Sequence, residues 1–376
     1  MKTIKGGEFL IKEVLYEDIF ITEEFTEEHK MMKESVIEFI DREVWPHKER
    51  FESKDYALTE KVMRQIGEMG FLGISIPEEY GGMGMGFVST MLVTDYISAA
   101  TGSIGTAYGA HSGIGTMPIF LYGTKEQKQK YLPQLTAGEK FGAYCLTEPE
   151  AGSDANSGKT TATLSDDGKH YLISGQKMWI SNAGFAEIFI VFARIEDDKN
   201  ITAFILEYDK NNPNGVKLGE EEDKLGIKSS STRQMFFTDT KVPVENMLSE
   251  RGKGFKIALN SLNVGRIKLA AACLDASRRI ITESVKYANE RIQFKTPIAQ
   301  FGAIKYKLAE MSARTFASDA GSYRAAKDIQ NYIDALLAEG KSHQDAELEA
   351  FSEYAIEAAI LKVYASETSQ YVSDEG

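Results

Sequence analysis

Ile188-Phe-Ile-Val-Phe192 and Ala203-Phe-Ile-Leu206 are short, unbroken runs of β-branched and aromatic residues in the middle of the chain. Runs of this length, bounded by turn residues, read as strands. Further strand candidates collect between residues 141 and 241, and Asp167-Gly168 supplies a hairpin turn between two of them. Strands grouped in this way, with no helices alternating between them, argue for a small antiparallel β domain and against a doubly wound parallel sheet.

Outward from this centre the period changes to that of a helix. Met32, Val36, Ile40 and Val44 fall on one stripe, and Val62, Ile66 and Met69 on another that Gly70 should end. Thr124 followed by Gln127 has the form of a capping box. Beyond residue 252 helix returns through Leu269, Cys273, Ile280 and Val285, then from Ile304 to about Ile329, then from Ala346 onward with Ile356, Ile360 and Val363 as its apolar stripe. The expected fold class is therefore α+β. Its parts are an N-terminal extension (1–25), an N-terminal α-helical domain (26–140), a middle antiparallel β domain (141–250) and a C-terminal α-helical bundle domain (251–376) that reads as incomplete.

The chain has 376 residues, 43% hydrophobic and 26% charged, enough for two or three packed domains. It has no apolar run of the roughly 18 residues that a membrane-spanning helix needs. The early acids Glu8, Glu13, Glu17 and Asp18 speak against an organelle presequence, so a cytoplasmic location is expected. A net charge of −13 without any block of Lys or Arg argues against nucleic acid as a partner. The two cysteines, Cys145 and Cys273, have no metal-ligand spacing and read as small apolar residues.

Two segments carry more information. Tyr144-Cys-Leu-Thr-Glu-Pro-Glu-Ala-Gly-Ser-Asp154 ends a strand and opens into small and hydroxyl residues whose backbone N–H groups can hold a pyrophosphate. Lys177-Met-Trp-Ile-Ser-Asn-Ala-Gly184 sets Trp179 two positions before Ser181, on one face of a strand, where an aromatic plane beside a hydroxyl suits a flat redox ring. A buried tryptophan in a β core would explain Trp179 equally well. The glycine run Gly81 to Gly86 lacks a leading strand and reads as a permissive loop, and His111 reads as a satisfied buried histidine.

With these two segments the chain resembles the acyl-CoA dehydrogenase family from about residue 27 onward. Pro77 to Gly82, Gly226 to Arg233, Val242-Pro243 and Gly252 to Phe255 add supporting matches. The resemblance implies an FAD enzyme that desaturates a fatty acyl-CoA. Tyr144, Leu146 and Thr147 would edge the flavin, Gly152 and Ser153 would hold its pyrophosphate near the CoA arm, and Trp179, Ile180 and Ser181 would flank the isoalloxazine. Asn263 and Arg266 would touch the acyl-CoA, as would Ser153. Arg291, Gln293 and Phe294 would reach the FAD of a neighbouring subunit, which implies a homodimer or a dimer of dimers. An electron-transfer flavoprotein or another acceptor is implied as partner. Lys295 departs from the family's usual glycine, and Phe301-Gly302, like the early Lys5-Gly-Gly motif and Leu262 to Arg266, is shared with the very-long-chain branch, so long acyl chains are expected.

The family's reaction needs a glutamate base of raised pKa. Its usual Tyr-Glu-Gly-Thr segment does not occur here, and the alternative position beside Arg266 is Gly265. The base is therefore expected beyond residue 376, and the chain as given is expected to lack turnover, Glu148 and Glu150 being poor substitutes. An acyl-CoA oxidase-like flavoenzyme, or a non-catalytic flavin-binding assembly protein on the same scaffold, are the alternatives.

Overall fold

The computed structural model describes residues 4–13 and 15–376. In chain order its helices before the sheet are α1 (Glu27–Glu43), α2 (Lys48–Glu52), α3 (Tyr56–Glu68), α4 (Phe87–Ser98), α5 (Gly102–Gly109), α6 (Met117–Tyr122) and α7 (Lys125–Thr136). A π-helical turn, Ala110–Gly115, separates α5 from α6. The strands follow: β1 (Gly142–Cys145), β2 (Thr161–Leu164), β3 (His170–Ser181), β4 (Ile188–Ile195), β5 (Thr202–Glu207), β6 (Val216–Glu221), β7 (Thr232–Pro243) and β8 (Met247–Leu248). Then come α8 (Gly254–Ala272), α9 (Leu274–Glu290), the short strands β9 (Ile292–Gln293) and β10 (Thr296–Pro297), α10 (Gly302–Ala338), α11 (His343–Glu353) and α12 (Ala355–Glu375).

Contacts gather this chain into two units. One holds the chain up to Trp45, Gly86–Ala100 and Arg266–Gly376; the other holds Pro46–Met85 and Thr101–Gly265. The second unit contains the large sheet, ordered β6-β7-β3-β2-β4-β5-β8 with β1 also on β4. Its centre is the pair β4–β5, where Phe189 faces Leu206 and Ile190 faces Ile205, all buried. The expected purely antiparallel sheet is modified at one edge of β4. Both β1 and β2 run parallel to it, β1 along Ile188 to Val191 and β2 at Arg194 and Ile195. β1 and β2 thus form one interrupted line, and the residues between them are extruded from it as a loop.

Local signals place the surrounding helices. Met32, Val36, Ile40 and Val44 are buried as the stripe requires. Asp55 caps α3 by accepting from the Leu58 N–H at 2.9 Å, and Gly70, at φ +80°, follows its end in the left-handed conformation that glycine adopts without strain. Thr124 and Gln127 make the capping box, and the Gln127 amide also donates to the carbonyls of Glu245 and Met247. His111 is satisfied on both sides: Nδ1 accepts from the Gly142 N–H at 2.9 Å and Nε2 meets the Leu135 carbonyl at 3.0 Å. Gly115 is required by close approach, since a Cβ there would lie 2.7 Å from the Gly142 backbone.

In the first unit α10 runs on to Ala338, past the expected end near Ile329. α12 departs further from expectation. Ile356, Ile360 and Val363 are exposed, and the face turned inward carries Ala358, Leu361, Ala365, Thr368 and Val372. Small residues on that face permit close approach to α10, where Gly321 lies against Leu361. Among the described residues no helix is long and apolar enough to cross a membrane.

The polar centre of this unit is Arg278 on α9. Its guanidinium meets Asp95 of α4 at 2.7 Å, Asp319 of α10 at 2.5 Å and Asp275 at 3.3 Å. Asp95 also accepts from the Asp275 N–H and the Tyr323 hydroxyl. Burial, with some help from the neighbouring carboxylates and against the pull of Arg278, pushes the Asp95 carboxyl up to about 6. A carboxyl raised above its ordinary value favours the folded state when protonated, so this contribution is lost as pH rises through about 6. We expect thermal unfolding to show that loss in the native chain and a weaker one in Asp95→Asn; identical pH dependence in both would refute the assignment. Arg278→Met, which strands buried carboxylates, should cost roughly 3–5 kcal/mol by denaturant titration.

Candidate functional site

The interrupted strand line brings the two informative segments together. Where β1 leaves β4, the Thr147 carbonyl accepts from the Met178 N–H at 3.0 Å, so the loop that follows Tyr144 lies directly beside the strand that carries Trp179. Beneath this junction Lys177 and Glu148 form an ion pair at 2.6 Å, with their side chains only 2% and 6% exposed. The Lys177 ammonium also donates to the Leu146 carbonyl. The Glu148 carboxylate accepts further from the Lys159 and Thr160 N–H groups. Burial works to raise the Glu148 carboxyl, but the Lys177 charge and these hydrogen bonds outweigh it and hold it below the usual carboxylate range. Burial in turn depresses the Lys177 ammonium.

These contacts settle one sequence candidate. Glu148 is committed to three donors and is held ionised, which is the opposite of the raised, desolvated carboxyl that a base for a weak carbon acid requires. Glu150 is exposed and paired with Lys159. Sequence reasoning missed the structural role of Glu148 and Lys177. Its available signal was the lysine within the strand, two residues before Trp179, where a cation in a β layer demands a partner; period two sets it on Trp179's own face, and the bulge separates them.

Glu148 and Ala151 exchange both backbone hydrogen bonds, which closes a tight turn and projects the next residues outward. Gly152, Ser153 and Asp154 are exposed, and a Cβ on Gly152 would meet open space. Among the described residues the Gly152 and Ser153 amides donate to no backbone acceptor, as an anion-binding turn requires. Tyr144 and Leu146 are buried and Thr147 is half-buried. The Tyr144 ring packs edge-on against Phe192, and burial pushes its hydroxyl far above the usual range.

Trp179 stands in a bulge of β3, where Met178 and Trp179 together face the single residue between Met235 and Arg233 of β7. Its φ is +57° and its side chain is 60% exposed. A left-handed tryptophan costs about 1–2 kcal/mol of backbone energy, and exposure brings it little packing in return. The bulge turns Trp179 and the half-buried Ser181 outward, with the buried Ile180 between them. Asn182, buried at φ +66°, anchors the strand end by donating to the carbonyls of Ala107 and Gly142.

The remaining candidates lie elsewhere. Asn263 and Arg266 are half-buried, three residues apart on α8, and therefore on one side of it. Arg291, Gln293 and Phe294 belong to the β9–β10 hairpin of the first unit. Phe294 and Lys295 have φ of +51° and +62°, the two left-handed positions of a two-residue turn, and Phe294 is 90% exposed at its tip.

Comparison with known proteins gives consistent matches along the chain. Family models for the acyl-CoA dehydrogenase N-terminal, middle and C-terminal domains match residues 26–139, 143–240 and 252–376. A probable acyl-CoA dehydrogenase of Bacillus subtilis (strain 168) is 45% identical over 372 residues, which is 99% of this chain and 62% of that protein. The very long-chain specific acyl-CoA dehydrogenase, mitochondrial, of Homo sapiens is 38% identical over 84% of this chain and 46% of its own length. A crystal structure of an acyl-CoA dehydrogenase complexed with FAD from Bacillus anthracis superposes with a TM-score of 0.94 at 43% identity, covering 99% of this chain and 63% of that one. The chain thus spans less than two thirds of the length of each.

Because Trp179 is strained and exposed, its replacement by glycine should leave the thermal midpoint of the ligand-free protein within a few degrees of the native value, the relief of about 1 kcal/mol offsetting glycine's entropy. A large destabilisation on differential scanning fluorimetry would show that packing, and not ligand binding, holds this residue in place.

Proposed function

The chain belongs to the acyl-CoA dehydrogenase family, and from that premise we propose that it binds FAD and serves the α,β-dehydrogenation of a fatty acyl-CoA to the trans-2-enoyl-CoA, in fatty acid β-oxidation. The observation that carries this reading is the direct hydrogen bond between the Tyr144–Asp154 loop and the Trp179 strand, Met178 N–H to Thr147 carbonyl at 3.0 Å. That bond joins the segment with the open Gly152 and Ser153 amides to the strand with the exposed Trp179 ring, which supports a shared site for them.

The residues present fit the cofactor. The Gly152 and Ser153 amides would receive the pyrophosphate, with room in front of Gly152 for its approach. Trp179 would lie along the isoalloxazine, Ser181 would donate its hydroxyl to the ring, and Tyr144, Leu146, Thr147 and Ile180 would form its dry edge. When bound, FAD supplies the hydride acceptor that no amino-acid side chain offers. The protein's part is alignment and exclusion of water. Asn263 and Arg266 would engage the acyl-CoA, joined at its CoA arm by Ser153. Glu148 contributes structure and leaves the α-proton to another base.

Long acyl chains are supported by the likeness to the human very long-chain specific enzyme. An electron-transfer flavoprotein is the expected acceptor. The Phe294 hairpin supports a homodimer or dimer of dimers: a phenylalanine held at the tip of a strained turn with 90% of its surface in water is built to be covered, here with Arg291 and Gln293 at a neighbour's FAD.

The visible spectrum tests the cofactor assignment: the purified protein should carry or take up flavin in equal number to its chains, and a protein that neither carries nor takes it up overturns the reading. Anaerobic titration tests the substrate, since a long acyl-CoA should perturb the flavin bands more than butyryl-CoA; equal or reversed responses would reject long-chain preference. Phe294→Glu should shift the mass from light scattering toward the monomer, and an unchanged assembly would remove the hairpin from the interface.

A further inference from the structure

The residues from Glu148 to Thr160 leave the sheet at the end of β1 and return to it at the start of β2. One carboxylate holds both ends of this excursion. Glu148 stands at its beginning, and its side chain accepts from the backbone N–H groups of Lys159 and Thr160 at its end, at 2.6 and 3.2 Å. Lys177, at 2.6 Å from the same carboxylate, roots the closure in β3 two residues before the Trp179 bulge, and its bond to the Leu146 carbonyl ties in the strand end as well. Room for the carboxylate is made by Gly158, where a Cβ would come within 2.8 Å of Glu148 Oε1.

A buried ion pair is an expensive way to join two strands. Apolar residues of the same volume usually stabilise a core as well or better, because they avoid the desolvation of two charges. What they cannot do is gather two backbone amides and a carbonyl from three segments at fixed distances. We infer that Glu148 and Lys177 are positioning residues for the proposed cofactor site: their ion pair closes the 148–160 loop at its base and sets the distance between the Gly152–Ser153 amides and the Trp179 ring. The apex at 152–154 is exposed and makes no other anchor to β3 among the described residues; the far limb of the loop is also held by Arg194, which donates to the carbonyls of Asn156 and Gly158, and by the Asn156 side chain, which meets Lys199 and Ile201, so the base of the loop is what relates the apex to β3. This inference rests on the proposed FAD site.

The test uses the full chain, with FAD as the probe. The double variant Glu148→Gln/Lys177→Met removes both charges at nearly constant volume. Its ligand-free form should unfold at or above the native temperature, while its FAD dissociation constant, read from flavin fluorescence, rises about tenfold to a hundredfold, as losses of supporting hydrogen bonds around bound groups do. The visible circular dichroism of bound flavin should change with it. Gly158→Ala supplies an independent variant: its φ of −52° suits alanine, so only the displaced carboxylate is tested. It should weaken FAD binding without lowering the unfolding temperature. A native protein that binds no FAD defeats the proposed function itself. A native protein that binds FAD, with both variants binding it equally tightly and with unchanged dichroism, defeats the positioning role alone. Loss of binding only in step with loss of thermal stability in both variants would make the pair a structural element and would also overturn the inference.

Discussion

The candidate site depends on two charges buried together under a loop. Without Lys177, the Glu148 carboxylate would sit in the protein interior with only backbone amides to meet it; without Glu148, the Lys177 ammonium would be left with the Leu146 carbonyl. Either loss would leave a cost that the surrounding β core cannot absorb. The pair ties the end of β1, the approach to β2 and β3 together at the base of the loop. It also holds the Glu148 carboxyl low, which ill suits a base, although this carboxylate lies within the loop segment itself.

Among the residues held in left-handed conformation, three lie where a ligand or partner is proposed. Trp179 at φ +57°, and Phe294 with Lys295 at +51° and +62°, are bulky or long side chains in a region that favours glycine, and each of the two aromatic rings is turned toward water. Local preference and packing both oppose such placements, so something beyond the fold of the isolated chain gains from them. A glycine at position 295 would relieve the second turn. The lysine present there keeps the hairpin conformation at some cost in stability.

The two units solve their polar problems differently. In the sheet unit Glu148 and Lys177 balance each other one to one, and the amides around them complete the shell. In the helical unit Arg278 faces three carboxylates, and burial, reinforced by the neighbouring carboxylates, raises the affinity of Asp95 for a proton. The second arrangement couples the packing of α4, α9 and α10 to pH.

Much of this architecture was legible in the residues alone, because helix stripes, caps and strand runs are local properties. Thr124 and Gln127 cap α7, Gly70 follows the end of α3, and Ile188–Phe192 with Ala203–Leu206 form the core strands, all through interactions spanning a few positions. What depends on long-range pairing was decided only in three dimensions. The parallel partners of β4, the inward face of α12 and the meeting of residue 148 with 177 follow from which segments pack side by side, and a one-dimensional period carries no record of that. Trp179 shows the limit most clearly: its residue type suggested a ring beside a ring, but only a bulge imposed by pairing with β7 could turn it out of the core.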